Sequence, residues 1–231
     1  MGITVSRWAA EVGAVFGKDA RAEFRNRAAV NAILLFALTT LAVVSFSLSA
    51  QGLAPGIKAR ILASLLWIVL FFSAMSGLPR VFVKEEDSRT ALALRLTARP
   101  NVVFIGKLLF NVALLLVVTA AVVPLYLLLM EPVVQRWGLF FGVVVLGMGG
   151  LAGSSTLLAA LVAKTSNRGS LFVVLAFPLL LPLLVSAING TVGAFLGARP
   201  EEVGSNLIVL AAYLLATVTA SLMLFEFVWD G

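Results

Sequence analysis

The chain has 231 residues, 61% hydrophobic and only 12% charged, with a net charge of +6 and a mean hydropathy of +1.08. Globular domains are about a quarter charged, so a water-soluble fold is excluded: it would leave far too much apolar surface uncovered. The absence of Cys and His removes a disulfide framework, thiol chemistry and the commonest metal and acid–base side chain. The basic excess therefore bears on membrane topology, and no nucleic-acid partner is expected.

Residues 1–29 predict an amphipathic interfacial helix. They do not read as a secretory signal, since charges run throughout and no apolar core of roughly 7–15 residues occurs. Trp8, Val12, Val15 and Phe16 recur at helical spacing, and Ala20 and Phe24 continue the row. Lys18, Arg21 and Arg25 fall off that row, where anionic membrane lipid attracts them.

Six apolar stretches follow, over 30–50, 61–78, 102–130, 139–163, 171–188 and 206–229. As far as Phe225 they contain one charge, Lys107, near the start of the third. A helix needs about 20 apolar residues to cross the hydrocarbon core. The expectation is an all-α membrane protein, a single transmembrane domain over 1–231 with six spans behind the interfacial helix. Gly52, Pro55 and Gly56 mark a short outer turn, and Pro124 predicts a kink in the third span before Glu131-Pro132 ends it. In the fourth, Gly149 and Gly153 form a GxxxG pair that lets backbones approach closely. Packing within one subunit is the preferred reading of that pair over a dimer interface.

The fifth stretch is the most irregular. Pro178 and Pro182 interrupt it, Asn189-Gly190 reads as a turn, and 191–198 forms a second short apolar piece. These features predict a broken helix followed by a short re-entrant or surface helix on the outer face. Irregular backbone at membrane depth is tolerated only where protein or a water-filled cavity covers it, which marks this region as a functional candidate. Arg199-Pro200-Glu201-Glu202 reads as the entry to the last helix, with Pro near its first position and acids in its first turn.

Of the 17 Lys and Arg residues, 13 lie in the N-terminal segment, in the connections after the second and fourth spans, and at Lys107. The positive-inside rule then places both termini in the cytoplasm, as an even number of spans requires. The chain carries no phosphate-binding GxxxxGK[ST] loop and no catalytic triad. It is not expected to be an enzyme. Without a charge inside the spans, proton coupling is disfavoured, while a Na⁺-coupled carrier using backbone carbonyls stays open. Transport without a gradient needs a separate motor and a cytoplasmic surface for it. The candidate surface is 83–100: Glu85, Glu86 and Asp87, then Arg89 and Thr90, then Leu92, Leu94 and Leu96 interleaved with Arg95 and Arg99. This stretch fits a coupling helix inserted into an ATP-binding partner. It fits equally an interfacial loop whose leucines rest on the membrane.

The layout resembles the type-2 ABC export permeases, six-span proteins with a short amphipathic N-terminal helix. Their second inner connection reads Glu-x-x-x-Gly-[Ser/Thr], then leucines, then Pro; here Glu85 to Thr90 and onward to Leu94 and Ala98 occupy that place. Within that group the chain is similar to the haem exporter protein B (CcmB) family of cytochrome c maturation. The residues that carry this are the charged start from Phe16 to Arg25, the stretch from Phe82 to Thr90, and Gly106-Lys107-Leu108 opening the third span. Arg89 stands where the family pattern has Gly, and Ala98 where it has Pro.

The resemblance implies two copies of this subunit working with a separate ATP-binding subunit (CcmA-like). It also implies haem-handling membrane partners (CcmC- and CcmD-like) and a periplasmic haem chaperone (CcmE-like), in the cytoplasmic membrane. ATP would sit on the partner, and haem would be cargo or be carried by the chaperone. Lacking His and Cys, the chain offers only Met75, Met130, Met148, Met223, Tyr126 and Tyr213 as soft or phenolic side chains, and these read as packing. Rival readings are a generic ABC export permease for a lipid, drug or polysaccharide, and a membrane assembly subunit that transports nothing.

Overall fold

The structure, a computed structural model, describes residues 5–25, 28–48, 52–78, 99–163, 165 and 168–230. They form α1 (Val5–Arg25), α2 (Ala28–Leu48), α3 (Pro55–Gly77), α4 (Pro100–Met130), α5 (Trp137–Val162), α6 (Arg168–Leu196) and α7 (Pro200–Asp230). Six of these, α2 to α7, contain stretches long and apolar enough to cross a membrane. The fold is an all-α membrane protein.

Local sequence explains the helix ends. Pro sits in the first turn of α3 and of α4, where its missing N–H has no intrahelical partner to lose. Two residues in the left-handed region stop helices: Glu131 after α4 and Gly197 after α6. At the entry of α7 the Arg199 N–H donates to the Glu202 carboxylate at 3.3 Å, satisfying one helix-start donor.

α5 is the most buried of the six spans and packs against α3, α4, α6 and α7. Its glycines make this possible. Gly147 lies against the Trp67 ring of α3, Gly150 against Leu183 of α6, and Gly149 and Gly153 against Leu214 and Thr217 of α7. Small residues on one helix thus admit large ones from three neighbours. The GxxxG pair faces a helix of the same chain.

One expectation is corrected. α6 runs as a single 29-residue helix through Pro178, Pro182 and Asn189-Gly190, without a break, a turn or a separate outer helix. Both prolines lie on the exposed side. The Tyr213 hydroxyl donates to the Leu179 carbonyl at 2.7 Å, in the turn between them. α7 thereby braces α6 in the turn between its two prolines. Beyond the prolines, Gly190 packs on Val143, and Thr191 donates back to the Ala187 carbonyl at 2.8 Å. The end of the helix is thereby held inside the bundle.

The helices differ in how far they extend. The Ser45 hydroxyl donates to the Leu129 carbonyl, the Tyr126 hydroxyl donates to the Leu62 carbonyl, and Gly77 lies beside Ile33 and Leu114. α2 and α3 therefore flank α4 from about Phe110 onward. The first turns of α4 meet α7 instead, where the Phe104 and Phe225 rings lie with centroids 5.1 Å apart. α1 packs along those same turns.

Candidate functional site

α1 lies along the start of α4 and runs in the same direction. Val12 and Val15 bury against Val102, with Trp8 and Ile105 packed around them. Gly106 makes the approach possible: a Cβ there would come within 2.7 Å of the Val15 side chain and 3.2 Å of the Val12 carbonyl. One turn further on, the Phe16 and Phe110 rings meet edge to face, with centroids 6.4 Å apart.

The charge of the third span is at this contact. Lys107 is completely buried, and its Nζ lies 3.5 Å from Oδ2 of Asp19 on α1. The other carboxylate oxygen of Asp19 is 3.1 Å from the Lys18 ammonium. A buried ammonium persists only when paired, and moving α1 off α4 would take the Asp19 carboxylate from Lys107. Breaking a buried pair by removing one partner costs about 3–5 kcal/mol. Deeper in α4, Asn111 donates to the Thr156 hydroxyl of α5 at 2.8 Å, and Thr156 donates to the Ala152 carbonyl. Asp19–Lys107 and, one turn on, Asn111–Thr156 are two polar contacts that form an interrupted seam along α4, with Asn111 Oδ1 unpartnered between them.

Other residues singled out in the sequence fall as follows. Arg21 is exposed and donates to the Gly17 carbonyl, and Arg25 ends α1. The row of Trp8, Val12 and Phe16 meets α4, so most of that apolar face is covered by protein. Glu85, Glu86, Asp87, Arg89, Thr90, Leu92, Leu94 and Arg95 lie outside the described residues. Their connection nonetheless joins the end of α3 to Arg99, directly before the turns of α4 that α1 grips. Pro178 and Pro182 face outward, and Asn189 and Gly190 are interior turns of α6.

Asp19 carries no signal in the sequence beyond its place in a charged leader. Lys107 is visible there as the lone charge of the spans, and the i, i+4 pair of Lys107 and Asn111 on an apolar helix is the clue to a polar seam. Both phenols are engaged within the bundle: Tyr126 donates to the Leu62 carbonyl and Tyr213 to that of Leu179. Met130 and Met148 are core residues. Among the described residues no group of three His, Cys, Asp or Glu can hold a metal ion.

A family model described as CcmB protein matches residues 10–227, nearly the whole chain. The chain belongs to the CcmB family. Membership carries the role of haem-exporter ABC permease subunit in cytochrome c maturation, together with a CcmA ATPase and other Ccm components as partners. The family is one of permeases, not enzymes, and the six apolar helices fit a multi-pass inner-membrane protein. No curated protein matches the chain.

Proposed function

We propose that this CcmB-family subunit converts ATP-driven closure of a CcmA-like partner into a shift of its helix bundle, and that α1 and α4 receive the stroke together. The observation that carries this is the buried Asp19–Lys107 pair. It locks the N-terminal helix to the first turns of α4, which follow the connection with the acidic run Glu85-Glu86-Asp87. A push on that connection or on α1 enters the same rigid unit. One turn on, the Asn111–Thr156 bond ties α4 to α5, the buried hub, so a shift of α4 reaches α5. Such a shift requires the partner to bind the two packings with different affinity.

In this reading both termini and the 79–98 connection face the cytoplasm, two copies form the permease, and the work drives haem movement or release of a haem-loaded CcmE-like chaperone. Haem is ligated by CcmC-, CcmD- or CcmE-like partners, because this chain has no His or Cys. The test is a charge swap. Asp19→Lys and Lys107→Asp are made singly and together, and cytochrome c maturation is measured beside co-purification of the ATPase. Each single variant is expected to abolish maturation, and the double variant to recover part of it. Normal maturation in the Asp19→Lys strain would overturn the coupling role.

A further inference from the structure

Between α1, the start of α2 and α4 lies a half-open crevice of about 290 Å³, at the lower end of the size range for ligand sites. Its floor is apolar, built from Phe16 of α1 and Ala113, Leu114 and Val117 of α4. Among the described lining residues one charge, Glu23, and one amide, Asn31, stand at the corner where α1 gives way to α2. Glu23 is half-buried and makes no ion pair with a described residue, and Asn31 is exposed. The first apolar span begins at Val30, so this corner lies where headgroups meet hydrocarbon. The floor continues into outward-facing Leu116 and Val117, a surface that meets acyl chains.

We propose that this crevice is a binding site for an aminophospholipid of the phosphatidylethanolamine type, independent of the coupling role of the neighbouring ion pair. One acyl chain lies along Ala113, Leu114 and Val117. The primary ammonium donates to the Glu23 carboxylate, and the Asn31 amide donates to a phosphate or ester oxygen. The charge pattern selects among lipids. A primary ammonium brings three N–H donors to a carboxylate; a choline headgroup brings none. A phosphatidylglycerol headgroup brings only negative charge toward Glu23.

The assembled complex, stripped of lipid in mild detergent, is titrated with phosphatidylethanolamine, phosphatidylcholine and phosphatidylglycerol of the same acyl composition and read by native mass spectrometry. The expected result is retention of the ethanolamine lipid over the choline lipid by about tenfold, the worth of one charge-assisted hydrogen bond. Glu23→Gln should erase that preference, and Ala113→Phe, which fills the floor, should lower retention of all three. Equal retention of the three lipids by the natural protein, enrichment of phosphatidylglycerol, or an unchanged preference in Glu23→Gln would overturn the proposal. Because Glu23→Gln removes no packing volume, its result stands even where Ala113→Phe impairs folding.

Discussion

The indole N–H of Trp67 in α3 donates to the hydroxyl of Thr191 in α6 across 2.9 Å. The same ring lies against Gly147 of α5, closer than any Cβ would permit. Three helices therefore meet on one side chain, and the fit depends on the missing side chain at position 147.

Replacing Gly147 with Leu is expected to push Trp67 off Thr191 and separate α3 from α5. Overpacking of a filled core costs about 1–3 kcal/mol, at times more. Trp67→Phe loses the donor, at about 1 kcal/mol, and part of the buried indole, which adds the cost of the cavity left behind. Thermal unfolding in mild detergent should place both variants below the natural chain. An unaltered melting curve for Gly147→Leu would contradict the three-helix contact.

Gly149 and Gly153 face Leu214 and Thr217 of α7. Leu at either position should lower the melting temperature through the α5–α7 contact, by an amount comparable to other overpacked sites. Subunit stoichiometry, read by mass photometry, should not change. Dissociation of a dimer without loss of helix stability would place the glycines at an interface between copies instead.

Asn111 is half satisfied. Its amide nitrogen reaches Thr156 at 2.8 Å while its Oδ1 is buried without a protein partner. An unsatisfied buried acceptor costs about 1–3 kcal/mol, so Asn111→Leu, close in shape, should leave the melting temperature level or raise it. If the seam transmits motion, maturation activity should fall in the same variant. A clear drop in melting temperature would mean that Oδ1 is paired in the membrane, by water for example.

Charge reversal of Glu85, Glu86 and Asp87 should weaken co-purification of the ATP-binding subunit while membrane insertion is retained. Undiminished recovery of the ATPase would remove this connection as the docking surface, leaving α1 as the sole route for the stroke.

Much of the fold is legible in the sequence because its cause is local. Long apolar runs become spans, and Pro200 with Glu201 and Glu202 opens α7 where the helix-start pattern places it. The spacing of Gly149 and Gly153 announces close packing, although not the partner, which lies some 65 residues away at Leu214. The misread element is α6. Its prolines look like breaks because propensity is a local property, whereas the Tyr213 hydroxyl that bonds between them comes from another helix. The site follows the same rule. Lys107 stands out as a lone charge, but Asp19 is 88 positions away, and only the packing of α1 on α4 joins them.

The connection between α4 and α5 is tied down. The N–H groups of Gln135 and Arg136 both donate to the Ala194 carbonyl of α6, and Arg136 Nε donates to that of Gly197. The connection between α4 and α5 is thus tied to the end of α6, while at the other end of the bundle α4 is held by α1 through Lys107 and by α7 through Phe104 and Phe225. α4 is therefore fastened at both tips, and neither tip can shift without straining the packing at its own end.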